Sequence, residues 1–585
     1  MLLPPDGRSL LTDVLRPPPG YRLDRAIATT FTLELDALLA APLAFAAHAV
    51  REEDDSISVM DAVQRCADRI DVFCQAGHIG APATTSGLLL LLEQMVHPVH
   101  RPKPGRLFHP KLWLVRYADD QGDRQLRLVV LSRNLTNDRS WDVCLSLDGS
   151  TGSRPAAGNT PLVKLVRHAV GRTTQPVPPD RAAAIEGLLE DARRAVWDPP
   201  EGFRELAFHA LGVPGGSRPQ FGGTRHLVMA PFVEERGLTT CAPGNGELTV
   251  IGRQEELDRM PEDALHDCEV FVLDDLVAAG GDSELSAALH AKTYVIEYGH
   301  RAHVFVGSAN ATAAAFTGNV ELLVELIGSK SQLGINTMIG DSAALRTILQ
   351  PYERGPAPEP DDEASWQLEN DLLEFAAVPF RATVLGGAEP YELYVTAEVL
   401  PQLSPGVTVT IGLLTLPGET APLIPGTAAD AVFTNLPTTS ITRFLVLTAT
   451  GASGDTRRAV TVAELIGDPA DRLDRVLAEQ IDTPEKFLRF LMLLLGLGTA
   501  DNRAELAAAL GAGSKWRGAS PNGLLEILLG ALADRPAQLD DLARLVGRMA
   551  ATGQGRAVLP DGFLDLWDLV NQVRLDLAET IACPV

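Results

Sequence analysis

FHPKLWLVRY, residues 108–117, sets His109 and Lys111 two positions apart in a segment that otherwise reads as a buried strand. Side chains alternate faces along a strand, so the spacing predicts that 109 and 111 project together while Leu112 and Leu114 point the other way. Alone, such an H-x-K is most simply a strand end whose polar heads reach water. Its weight comes from a second copy. ALHAKTYVIEYG, residues 288–299, repeats the spacing in His290 and Lys292, again followed by an aromatic residue and an apolar run.

The likeness continues downstream. LRLVVLSRNLT (126–136) matches AHVFVGSANAT (302–312), so Ser132 and Asn134 correspond to Ser308 and Asn310. Each copy reads as strand, turn, strand, then S-x-N, and the longer first turn (ADDQGDRQ against YGHR) accounts for most of the difference in spacing. WDVCLSL from Trp141 and NVELLVEL from Asn319 follow, so an acid, Asp142 or Glu321, enters each last apolar run. A period of about 180 residues is too long for a solenoid and fits two similar domains fused in one chain. Packed about a pseudo-two-fold axis, such halves bring two H-x-K pairs and two asparagines to one cleft.

Two His, two Lys and two Asn suit a phosphodiester. Ammonium and amide groups donate to nonbridging oxygens and stabilise the charge that builds as phosphorus becomes five-coordinate. One imidazole can attack phosphorus and the other can protonate the leaving oxygen, because the unperturbed imidazole pKa lies near neutrality. Water activated by the second His then hydrolyses the phosphohistidine, without a metal.

These residues resemble the signature of the phospholipase D superfamily: His109, Lys111, Ser132 and Asn134, then His290, Lys292, Gly307, Ser308 and Asn310, with Asn319 and Glu321 matching its downstream N-x-E. Two departures stand out. The superfamily's Asp after the lysine is missing, with Tyr117 and Glu297 in that neighbourhood, and Leu131 replaces the first glycine. Loss of that Asp also characterises the tyrosyl-DNA phosphodiesterase branch. The resemblance covers residues 25 to 345. It implies His109 as nucleophile, His290 as acid, and Lys111, Lys292, Asn134 and Asn310 around the phosphate. Ser132, Ser308 and Arg133 are candidate substrate contacts. Glu321, and less directly Asp142, would hold an imidazole in the required tautomer. No cofactor or metal is expected.

The formal net charge of −26 argues against tight nonspecific DNA binding, since phosphate backbones are held chiefly by Lys and Arg. The charge is unevenly spread, however. Between His100 and Ser140 nine Lys or Arg face four Asp, a basic island that favours chain ends or short single strands. The six cysteines show no C-x-x-C pair or zinc spacing, and read as reduced thiols of a cytoplasmic protein. The start, MLLPPDGRSLLTDVLRPPPG, lacks the apolar core of a signal peptide. FLRFLMLLLGLG (487–498) is too short to span a bilayer and reads as a buried helix, so no membrane partner is expected.

Alternating strands and helices predict an α/β fold: two fused mixed-sheet domains, residues 1–175 and 176–350, forming a pseudo-two-fold site. STGSRPAAGNT and TTQPVPPD bracket a helix and read as a linker between the halves. A Pro- and acid-rich linker, 351–368, leads to a β-sandwich-like accessory domain, 369–468, and a helical domain, 469–585, read as assembly modules. His300 and His303 read as surface residues at the second hairpin. The leading expectation is a metal-independent phosphodiesterase, a nuclease or end-processing enzyme acting on nucleic acid, DNA above all. The resemblance extends this to bacterial antiviral (phage) defence beside a helicase or other defence-system subunits. The alternatives are phospholipid hydrolysis or transphosphatidylation, and a non-catalytic subunit that senses nucleic acid.

Overall fold

The computed structural model describes residues 11–46, 56–83, 86–137, 140–244, 246–273, 288–358 and 363–481, then stretches of 483–582. Two mixed sheets carry the H-x-K segments. The first runs, in spatial order, Ala195–Trp197, Cys144–Thr151, Arg124–Leu131, Leu112–Ala118, Arg22–Thr30, Ile70–Gln75, Val96–Val99. The second runs Phe203–Leu211, Glu321–Ser329, Arg301–Gly307, Thr293–Tyr298, Arg225–Met229, Glu247–Ile251, Cys268–Leu273, with Leu349–Pro351 added at the edge. Strand for strand the order is the same, and so are the directions: parallel pairs on one side of Arg22–Thr30 and of Arg225–Met229, antiparallel pairs on the other.

The strand Leu112–Ala118 shows why this pairing suits the sequence. It lies between two neighbours and is covered on both faces, which is how a near-continuous apolar run satisfies every side chain. Leu112 and Leu114 enter a core shared with Val295, Val304 and Val324 of the second sheet, whereas Trp113, Val115 and Tyr117 face a separate cluster. The shared core is completed by the helices Thr160–Val170 and Pro179–Arg194, which bury Leu162, Leu165, Val166, Leu188 and Leu189. The helix bracketed by the expected linker segments is therefore part of the core, because its apolar stripe fits between the two sheets.

The H-x-K segments are also placed differently from the expectation. Neither lies within its strand: His109 to Lys111 and His290 to Lys292 precede Leu112–Ala118 and Thr293–Tyr298. The cause is crosswise backbone pairing. The His109 amide donates to the Val320 carbonyl at 2.9 Å, and the His290 amide donates to the Trp141 carbonyl at 2.8 Å. Each H-x-K is thus tied to the segment that opens the last strand of the other sheet, a reciprocal arrangement expected of two-fold symmetry.

The β-rich region after residue 380 forms a six-stranded and a four-stranded sheet around a core that includes Phe380, Val395, Ile411, Phe433 and Leu447. The six-stranded sheet is not built from this region alone. It is extended by Ile79–Gly80 and Leu33–Glu34, which directly follow His78 and lie just past Phe31. Glu93, 1 % exposed, binds Arg472 at 2.8 Å and accepts from Thr442 and the Arg443 amide, locking this region and the helix Arg472–Gln480 onto the first sheet's side. LDDLARLVGRMA falls in the helix Pro536–Ala551. FLRFLMLLLGLG for the most part, and RAELAAALG (503–511) entirely, lie outside the described residues. Among the described residues no helix is long and apolar enough to cross a membrane.

Candidate active site

The duplicated order brings His109, Lys111, His290, Lys292 and Glu321 to one seam between the sheets. His109, from the first half, places Nδ1 2.9 Å from Oε2 of Glu321, the first residue of Glu321–Ser329 in the second half. Glu321 is fully buried and is also bonded by the Ser308 hydroxyl and, at 3.2 Å, by the Asn319 amide. Both lysines curl back onto the carbonyl of their own histidine, Lys111 at 2.9 Å and Lys292 at 2.8 Å. Lys292 reaches across the seam to the Ser132 carbonyl at 3.1 Å and contacts His290 Nδ1 at 3.1 Å.

These partners set two different histidines. With Glu321 at Nδ1, His109 carries its proton there and leaves Nε2 with a free lone pair. With the Lys292 amino group at Nδ1, His290 carries its proton on Nε2 when neutral. One ring leaves a bare nitrogen, the other an N–H.

Burial dominates the electrostatics. It drives His109 down to about 4, against the opposing pull of Glu321, so His109 is neutral beside an ionised Glu321. Lys111 is lowered by burial to about 7. Lys292 falls well below the usual lysine value through burial and then the neighbouring Lys111. His290 falls to about 2 through burial, then Lys292, Lys111, Arg253 and His109. Two buried lysines and Arg253 face the buried carboxylate of Glu321, with Asp142 acting more weakly on Lys292, so cationic side chains outnumber acidic ones around the histidines.

Ser132 and Ser308 are buried, and their hydroxyls are taken up within the fold. Ser132 accepts from the Val143 amide at 2.8 Å, and Ser308 accepts from the Leu322 amide at 3.1 Å while donating to Glu321. Instead of direct substrate contacts they are positioning groups. Arg133 donates to the Thr136 carbonyl at 2.7 Å, within the same loop as Asn134. Asn134 and Asn310 each leave Oδ1 buried without a partner. Asp142, the positional equivalent of Glu321, lies close enough to Lys292 to raise its basicity. His303 is inside the strand Arg301–Gly307 and shares Glu325 with His209, at 2.7 and 2.8 Å. That cluster stands apart from the seam.

The glycine that Leu131 replaces has a physical reason in the second half. A Cβ on Gly307 would lie 2.0 Å from the Leu322 carbonyl oxygen. Several site residues carried no sequence signal of their own. Phe31, at the end of Arg22–Thr30, lies 5.3 Å from the His109 ring and 4.0 Å from that of His78. Gln75 accepts the Phe108 amide at 2.7 Å, and Arg253 donates to the Leu289 carbonyl at 2.7 Å while stacking over Phe232 at 5.4 Å. All four lie at the C-terminal ends of parallel strands, the usual location of ligand sites in such sheets, but nothing in their local sequence marks them.

Compared with known proteins, the chain matches no family model and no curated protein. Among solved structures it is similar to a mutant of yeast tyrosyl-DNA phosphodiesterase, at 13 % identity and a TM-score of 0.34, covering 55 % of this chain and 85 % of that one. It is also similar to polyphosphate kinase from Porphyromonas gingivalis, at 14 % identity and a TM-score of 0.28, covering 54 % of this chain and 42 % of that one. Likenesses this distant assign no activity to the chain.

Proposed function

We propose that the protein is a phosphodiesterase of the phospholipase D type that acts on nucleic acid through a covalent His109 intermediate. The observation that carries this reading is the crosswise pair His109–Glu321, which leaves Nε2 of a neutral imidazole unengaged beside two buried lysines, Lys111 and Lys292; Asn134 and Asn310 are assigned to the phosphate as counterparts in the two halves. In the first step Nε2 attacks phosphorus as the bond to the leaving oxygen breaks, and protonated His290 gives that oxygen its proton. Glu321 stabilises the positive charge that forms on the substituted His109 ring. In the second step water attacks phosphorus, loses its proton to His290, and the P–N bond breaks to restore neutral His109. The depressed basicity of His290 fits this cycle, because an arriving phosphodiester anion offsets the surrounding cations and allows the ring to take up a proton.

Of the basic residues between 100 and 140, Arg101, Arg116, Arg124 and Arg127 are ion-paired within the fold, so Lys103 and Arg106 beside the buried Lys111 are what favour a polyanion. The test is incubation in EDTA with labelled single- and double-stranded DNA, RNA and phosphatidylcholine, alongside His109→Ala and His290→Ala. Cleavage of nucleic acid that both substitutions abolish supports the reading. Cleavage that needs magnesium or survives both substitutions refutes the mechanism, and turnover confined to phosphatidylcholine refutes the substrate.

A further inference from the structure

The helix Glu363–Ala376, from the accessory region, is seated at one end of the seam. Gly77, at φ +84°, allows its approach: a Cβ there would lie 2.5 Å from Leu373 Cδ2. The next residue is His78, whose ring packs against Phe31 at a 41° tilt and whose Nε2 is buried without a partner. Burial, then His109 and Arg101, lower His78 to about 4, so it is a neutral polar group facing the neighbourhood of the nucleophile. Arg101 clamps the same helix, donating to Asn370 at 3.0 Å and to Glu374.

Beyond these contacts the helix presents Trp366, 62 % exposed. Residues 366, 370 and 373 share one helical face, so the indole stands on the face that docks beside His78 and Arg101, about 10 Å along the axis from Leu373. The exposed indole offers a flat apolar face on which a base can stack. The loop from His100 to Leu107 joins this helix to the seam and carries Arg101, Lys103 and Arg106 with no acid. Its far end meets the second half, where the Leu107 amide donates to Asn319 at 3.0 Å. Arg457 donates to Ser365, the residue before Trp366, at 3.1 Å. Glu363 and Glu369 flank the ring along the helix and Arg101 is paired with Glu374, so attraction of a polyanion comes from Lys103 and Arg106, and the indole contributes stacking.

We infer that this face carries a single-stranded nucleic acid away from the scissile phosphate: past Phe31 and His78, along the 100–107 loop, with a base stacked on Trp366. The inference rests on the phosphodiesterase reading and adds the direction of the strand and its distal anchor. The test is the affinity of wild type, Trp366→Ala and Trp366→Phe for labelled phosphorothioate oligothymidylates, from a dinucleotide to about a dodecamer. Turnover of a small chromogenic phosphodiester by wild type is measured in parallel. The expected result is that affinity rises with length in wild type, that Trp366→Ala removes about tenfold to a hundredfold of it for long oligomers only, and that Trp366→Phe restores most of the loss. Equal affinity of wild type and Trp366→Ala at every length overturns the inference, as does an equal loss on blunt duplex. Turnover of the small diester without oligomer binding overturns the path but leaves the chemistry standing. Absence of both overturns path and chemistry together.

Discussion

Replacing Lys111 by Met is expected to make the protein more stable and inactive at once. Lys111 is 1 % exposed and its basicity drops from the usual 10.5 to about 7 on burial. At 1.36 kcal/mol per unit this is a penalty of about 5 kcal/mol for carrying the charge at this buried position. Glu321 loses a nearby cation in the variant, so the expected net gain is about 1–3 kcal/mol, or several degrees in Tm. The pH dependence follows from the sign. The native lysine loses its proton near pH 7 and the unfolded one near 10.5, so between those values the unfolded state binds more protons and wild type gains stability with rising pH. The advantage of Lys111→Met is therefore largest at or below pH 7 and closes towards pH 10.5. Thermal scans of both proteins across this range, with and without inorganic phosphate, give the comparison. Phosphate should raise the Tm of wild type and leave the variant nearly unmoved. A variant less stable at pH 7, or a gap that does not change with pH, refutes the account of the site as one where cationic side chains outnumber acidic ones.

Other perturbations probe separate parts. Glu321→Gln removes the carboxylate that orients His109 and offsets its positive charge; turnover should fall about a hundredfold or more while substrate affinity is largely kept, measured as kcat against KM. Arg472→Met strands Glu93 in the interior and should destabilise the fold by about 3–5 kcal/mol by denaturant titration, whereas the paired change Glu93→Gln with Arg472→Met should recover part of the loss. Gly307→Ala pushes a methyl into the Leu322 carbonyl and should lower both stability and activity, while Leu131→Ala, at the corresponding position, should leave turnover within a few fold.

The site was legible from sequence where chemistry repeats, and illegible where contacts are long-range. The doubled H-x-K and S-x-N brought His109, Lys111 and their counterparts together because short motifs on equivalent strands land at equivalent places. The pairing of His109 with Glu321 spans 212 residues, and only the crosswise backbone bonds between halves show which imidazole the acid serves. Phe31, His78 and Arg253 gave no signal because their positions follow from the ends of parallel strands. The accessory region was read as separate since its own strands alternate cleanly, yet its six-stranded sheet takes in Leu33–Glu34 and Ile79–Gly80, whose two-residue lengths carry no periodicity. The Ser132 and Ser308 hydroxyls show the reverse error: polar residues in a motif were taken as ligand contacts, and burial turned them inward.

The most direct test of the account is to trap the covalent species. His290→Asn, which removes the group that activates water, should accumulate an adduct when given, in EDTA, a nucleotide 4-nitrophenyl phosphodiester, whose leaving group departs without the proton that His290 supplies to an ordinary nucleic acid. Peptide mass spectrometry after a neutral or alkaline quench should place a single nucleotidyl group on His109, and a His109→Ala control should show none. An adduct on His290 or Lys111, or turnover by wild type with no adduct in any variant, would contradict it.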